Sequence, residues 1–478
     1  MPVRTRISCL LCWCCVAPLL PLAGCDAKPS TGAPTSAAPT ATAPSRPAGN
    51  GPYDLLERYY APYTSADDPL GFPMKVRNLS ANPYRFWRGS KELFYEWCKT
   101  NAADWLADQG AYLRIHGDLH PGNMGLYLSQ GEFGQHVAFG AVDFDESARL
   151  PFQIELLQGA VTLKLLAEHR RINLDGAKLD ALITTMIESY RTSLDSDQTP
   201  TQMLENDRWV GALLKDARKR DYGRELDKYV KKGQFVTVVE DKSDRPKEIL
   251  QPTKGKGEFA DAIESALLRS PDAADLFKTA DVRKKAILDI VRRTQLESAG
   301  SEGLNKYLVL LANKSGGEKR LILYLKQQIP SPAERLGIIP KDSRPPGQRS
   351  SEDTHGLSRP PGYFNSWCPW GGASYRVSIK EPWTETLDGS DVDTFEDLKH
   401  VARIWGTVAG AVHRQGDDAR SNVKSRVTPE LSRKLVERAG AFASLVPPAF
   451  RSFSADPRSR QQTQAAEAAL RELESKGR

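Results

Sequence analysis

"RIHGDLHPGNMG" (residues 114–125) and "AVDFDE" (141–146) are the two stretches whose reading decides the fold. The first gathers two histidines, an aspartate and an asparagine around glycines and a proline, just after the strand-like "AYLRI" (111–115). Between them, "GLYLS" (125–129) and "HVAFGAVDF" (136–144) read as the arms of a hairpin closed by a turn at "QGEFG" (130–134). A hairpin returns the chain to its start, so Asp143 is expected beside Asn123 despite their separation in sequence. Such a set of groups suits phosphoryl transfer. That reaction needs a carboxylate near the acceptor hydroxyl and oxygen ligands that hold Mg2+ against the phosphates. Asp118, on a glycine-preceded turn, fits the first role. Asn123 offers a neutral amide oxygen and Asp143 a charged one, the hard donors that Mg2+ prefers. The plainer alternative is a tight turn with hydrogen-bonding caps. It accounts for a lone Asp-Gly turn better than for two motifs joined by a hairpin.

"HGDLHPGN" (116–123) resembles the catalytic-loop motif of the aminoglycoside and choline phosphotransferases, relatives of the protein kinases, and "VDFDE" (142–146) resembles the metal-binding segment that follows it there. The resemblance implies an α+β, protein-kinase-like fold of two lobes with a helix-rich C-terminal part. It implies Asp118 as base or substrate-orienting carboxylate, and Asn123 and Asp143 as Mg2+ ligands with Asp145 as helper. His116 and His120 would brace the loop, and ATP or another nucleotide would be the phosphoryl donor. A closer resemblance covers about 55–420. "YRFWRGS" (84–90), the two motifs above, "GSEGLNKYLVLL" (300–311) and "AGAVHRQGD" (409–417) occur in the order found in the bacterial domain-of-unknown-function family 2252. The chain departs from that pattern at Glu155, where aspartate is usual, at Leu157–Gln158, which replace a basic pair, and at Gln327, where glutamate is typical.

A kinase also needs a glycine-rich turn over the phosphates and a strand lysine that contacts them. Gly300 and Gly303, then Lys326 after "LILYL" (321–325), carry that chemistry, yet they follow the catalytic loop. Either the order of the lobes is permuted or this is a plain hairpin with a surface lysine. Lys380 in "RVSIKE" (376–381) is a second candidate. Arg85 and Arg88 either hold phosphate or pair with carboxylates, pairing being the general expectation for arginines near a surface. His413, Arg414 and Asp417 either line the cleft or belong to a helix C-cap around Gly416.

A chain of 478 residues is long enough for two or three lobes or domains. Its formal charge of +6 comes without a lysine-arginine stripe interleaved with aromatics, so nucleic acid is not an expected partner. Basic runs such as "KDARKRD" (215–221) read as solvated helix faces. The expected order is a signal at 1–25, a tether at 26–52, a body at 53–425 and a helical tail at 426–478. Within the body lie the catalytic loop and hairpin (111–150), a mostly helical stretch (151–295) and the glycine turn with its strand lysine (297–328). A loop (339–362) and a strand followed by a helix (373–417) complete it.

The start is basic at Arg4 and Arg6, Ile7 to Leu22 is uncharged, and "LAGC" closes it at Cys25. This is the order of a secretory signal, and its end resembles the lipobox of bacterial lipoproteins, in which Cys25 would be acylated. Residues 27–52 are almost entirely Ala, Pro, Thr, Ser and Gly, too poor in apolar surface to order themselves. The expected location is therefore the cell envelope, with a lipid anchor at Cys25 and the body facing the periplasm or exterior. Only Cys98 and Cys368 remain in the body, and whether they pair is open. No Cys–His spacing suggests zinc. ATP is scarce outside the cytoplasm, so signal and site conflict, and three accounts stand. One is a membrane-anchored, Mg-dependent phosphotransferase acting on an unknown small-molecule hydroxyl. The second is a non-catalytic, kinase-like ligand-binding lipoprotein. The third is a cytoplasmic enzyme whose signal is misread.

Overall fold

The glycine- and proline-punctuated stretch 111–151 forms two small antiparallel ladders. β1 (Tyr112–Ile115) pairs with β4 (Ala148–Pro151), and β2 (Met124–Leu128) pairs with β3 (Val137–Ala141), Met124 opposite Ala141. The structure, a computed structural model, describes residues 51–478 except 66–67, 69, 130–135, 221, 241–245, 254–255, 270–286, 297–299, 313–320, 382, 388 and 477–478. The signal with Cys25, the tether as far as 50 and the hairpin turn at 130–134 lie outside the described residues. The described residues belong to one compact unit, an α+β fold whose C-terminal part is helix-rich.

The helix Phe152–His169 runs through its centre. Only Lys164, Glu168 and His169 escape burial, as befits a helix apolar on every side. Two capped helices pack beside it. Asp175 caps Gly176–Asp195 through Lys178 N, and a Thr394/Asp397 capping box starts Phe395–His413.

The remaining strands are a short hairpin, β5 (Val230–Lys231) with β6 (Gln234–Phe235), and a seven-stranded antiparallel sheet. The sheet holds β7 (Val238–Glu240), β8 (Pro246–Pro252), β9 (Ile287–Gln295), β10 (Lys306–Leu311), β11 (Leu321–Gln328), β12 (Asn365–Trp370) and β13 (Ala373–Ile379). Its order is β12-β13-β11-β10-β9-β8-β7. The unbroken apolar run of β10 has a cause: both faces are covered. Val309 and Leu311 face the main core with Leu323 and Leu325, and Leu308 and Leu310 join Ile322, Leu226 and Tyr229 on the other side.

Several stretches differ from the sequence expectation. Residues 287–295, expected in helix, form β9. Buried Arg293 donates two hydrogen bonds to buried Glu248 of β8, at 2.7 and 2.5 Å, so charges stand where alternation would place apolar residues. The expected loop 339–362 contains the helix Pro346–Leu357, whose buried face carries Arg349, Ser350, Ser351 and Asp353, with Leu357 its one large apolar side chain. The motif "YRFWRGS" lies in the helix Pro83–Gly89 and the turn after it, followed by the helix Lys91–Asn101. Within 426–478, Pro429–Ala455 belongs to the core rather than to a tail, with Leu435, Ala439, Phe442 and Val446 buried. Cys98 and Cys368 are both buried, and no disulfide joins them.

Candidate functional site

The loop after β1 is held from beneath. Gly117 has φ +84°, and a Cβ there would lie 2.2 Å from the Glu146 carbonyl oxygen, so only glycine fits. His116 Nδ1 accepts from Asp118 N at 3.2 Å, which leaves Nε2 to donate to Val142 O at 2.8 Å. Asn123 Nδ2 donates to Asp118 O at 2.9 Å, and Val142 N donates to Asn123 O at 3.0 Å. These bonds tie the loop to the end of the hairpin, so Asp118, Asn123 and Asp143 come together as the hairpin reading expects. Below the loop, the Glu155 carboxylate accepts the backbone N–H groups of His116 (3.0 Å) and Gly117 (2.8 Å) and His413 Nε2 (2.8 Å). Tyr190 OH bonds His413 Nδ1 at 2.8 Å. Burial disfavours the Glu155 charge, but His413 and the backbone donors outweigh it and hold the carboxyl below its ordinary value. His413 thus lies behind the loop, not along the cleft, and Gly416 is the N-cap of the helix Asp417–Arg426 rather than a C-cap.

On the upper side, Asp118 Oδ1 meets Lys91 Nζ at 2.5 Å, both side chains being less than a tenth exposed. Lys91 Nζ lies 4.2 Å from the centroid of the Trp87 ring. Burial raises the Asp118 carboxyl above its usual value in spite of Lys91. Asp118 Oδ2 is 3.6 Å from His120 Nε2, which accepts from Arg88 Nε at 3.3 Å. Burial and the neighbouring cations hold His120 well below its ordinary pKa, so it is neutral and braces Arg88. Lys91 was not foreseen; a lysine in the first turn of a helix carries no spacing signal of its own.

At the other end stands Asp143, in the left-handed conformation (φ +66°, ψ +62°) that is costly for a residue with a Cβ. Lys326 Nζ lies 2.8 Å from Asp143 Oδ1 and 2.5 Å from Asp145 Oδ2. Arg376 Nη2 is 3.8 Å from Asp143 Oδ1, and Gln328 Nε2 donates to Asp145 Oδ1 at 2.8 Å. Burial opposes both charges, yet Lys326 and Arg376 hold Asp143 well below the carboxylate range, and the two aspartates raise Lys326 well above the lysine range. Lys326 is therefore no surface lysine. Arg349, missed in the sequence, donates to the carbonyls of Asp145 (2.6 Å), Ser147 (2.7 Å) and Ile329 (3.1 Å), fixing the turn after Asp143 against β11.

Of these groups Asp118, His120, Asn123, Asp143, Asp145, Lys326 and Arg376 border one cavity of about 580 Å3, which Arg85, Arg88 and Gly300 also line. Gly303 does not reach it. With φ +84° it packs on the helix Gly71–Leu79, and a Cβ would lie 2.8 Å from Thr64 Cγ2. Lys380 also lines the cavity, with Nζ 5.2 Å from the Tyr229 ring centroid. Among the described residues, no three His, Cys, Asp or Glu side chains gather as a metal cage. Two carboxylates and the Asn123 amide oxygen nonetheless fit Mg2+, which keeps several waters and takes other ligands from phosphate. The Lys326 ammonium between the two carboxylates marks where cationic charge is favoured.

A family model described as an uncharacterized protein conserved in bacteria (DUF2252) matches residues 68–456. No curated protein and no solved structure matches the chain.

Proposed function

The chain belongs to the DUF2252 family, and from its own site we propose that it is an Mg2+-dependent phosphotransferase of kinase-like, two-lobed build. The acceptor is a small-molecule hydroxyl and the donor is ATP or another nucleotide. The observation that carries this reading is the convergence of Asp118, Asn123, Asp143, Asp145 and Lys326 on one cavity between the large sheet and the helical part. The acceptor oxygen attacks the terminal phosphorus, the bond to the bridging oxygen breaks, and Asp118 takes the hydroxyl proton. A carboxyl raised by burial is a better base for that task. Asn123, Asp143 and Asp145 are the residues that would hold Mg2+, which when bound neutralises charge on the phosphate oxygens. Lys326, shared by two aspartates, is the residue that would contact a donor phosphate.

A second reading, a ligand-binding lipoprotein without turnover, draws support from the same lysine, because its ion pairs occupy both carboxylates. The two readings part at Asp118→Ala. A phosphotransferase loses Mg2+-dependent turnover of ATP in that variant, whereas a binding module keeps its ligand affinity and has no turnover to lose. Anchoring through Cys25 in the cell envelope is part of the proposal. It predicts that fatty-acid labelling of the expressed chain disappears in Cys25→Ser. An unlabelled wild-type chain in the cytosol would instead favour the cytoplasmic account.

A further inference from the structure

We propose that the acceptor is an anion, carrying a phosphate or carboxylate group that Arg85 and Arg88 grip beside Asp118. This rests on the phosphotransferase reading and names its substrate class. The two arginines stand three apart on the helix Pro83–Gly89, so they share a face, and both line the cavity. They sit at the Asp118 end: Arg88 Nε donates to His120 Nε2, which is 3.6 Å from Asp118 Oδ2. Surface arginines usually pair with carboxylates, and that was the general expectation here. Among the described residues neither guanidinium has a carboxylate within ion-pair distance. The other arginines and the β11 lysine of the cavity do: Lys326 has Asp143 and Asp145, Arg376 has Asp143, and Arg293 has Glu248.

Two guanidinium groups outside any ion pair, with the Asp118 charge already met by Lys91, give this end of the cavity a positive field that draws anions and repels cations. The fork of an arginine also matches two oxygens of a phosphate or carboxylate. The neutral His120 strengthens the case. It accepts from Nε without cancelling the charge, so it steers the guanidinium and leaves its terminal N–H groups for a ligand. Amino sugars and choline, the cationic acceptors of the phosphotransferases that the motif resembles, fit this end poorly.

The test is equilibrium binding to the full-length chain in detergent, with glycerol 3-phosphate and inorganic phosphate as anionic probes and choline as the cationic one. Both anions should bind, choline should not, and saturating Mg·ATP should leave glycerol 3-phosphate bound. Arg88→Ala and Arg85→Ala should each weaken glycerol 3-phosphate by about ten- to a hundred-fold, the loss of a charge-assisted contact. Arg85→Ala is the cleaner variant, since its side chain is exposed and its contact with the Asn82 cap is made by the backbone N–H. Three results would overturn the proposal: choline binding more tightly than the anions, no anion binding at millimolar concentration, or anion binding that ATP displaces and only Lys326→Ala abolishes. Failure of the phosphotransferase reading shows separately, as absence of Mg·ATP binding by the wild-type chain.

Discussion

Glu155 shows how much of the site rests on a single buried charge. Its carboxylate takes two backbone N–H groups of the loop and one imidazole N–H, all in the protein interior. Glu155→Ala strands these donors, and stripping one partner from a buried charged network costs about 3–5 kcal/mol. Urea denaturation of the variant should show that loss. The pH dependence follows in sign. The native carboxyl lies below its ordinary 4.5, so its contribution is full above that value and is lost as pH falls through the native one. Glu155→Gln should flatten the acid side of the stability profile. Sequence made Glu155 visible only as a departure from a family pattern. Its partner His413 lies 258 residues further on, a distance that no local pattern bridges. Asp118, Asn123 and Asp143 were legible because a short hairpin alone brings them together.

At the level of elements, the glycine turn before β10 divides into two functions that its sequence does not distinguish. Gly300 has open space around it and borders the cavity, whereas Gly303 is wedged against the helix Gly71–Leu79 with φ +84°. Gly303→Ala should cost about 1–3 kcal/mol for the backbone strain alone, and Gly300→Ala far less. Thermal unfolding of the pair checks the contrast, and equal losses would contradict it. β10 and β11 could be read as strands because apolar residues cover both of their faces. β8 and β9 could not, because the buried Glu248–Arg293 pair breaks the alternation that marks a strand. The helix Pro346–Leu357 was hidden for a related reason: its inward side holds the site by hydrogen bonds from Arg349, not by an apolar stripe.

Over the whole molecule, the C-terminal helices tie the Arg88 end of the cavity to the core. Phe442 of the helix Pro429–Ala455 packs against Trp87, Phe94 and Trp97, so it supports the segment that carries Arg88 and Lys91. A chain ending at 428 should therefore fail to fold. One ending at 456 loses only the helix Pro457–Lys476, whose most exposed turns are polar, and should remain folded with a lower melting temperature. Circular dichroism of the two truncations separates these outcomes. In the proposed function, two loops and a strand lysine form one nucleotide site. Calorimetric titration of ATP into the full-length chain, with and without Mg2+ and beside Asp143→Ala, tests it most directly. Binding that needs Mg2+ and vanishes in the variant is the predicted result. Absence of binding, or binding indifferent to both Mg2+ and Asp143, would contradict it.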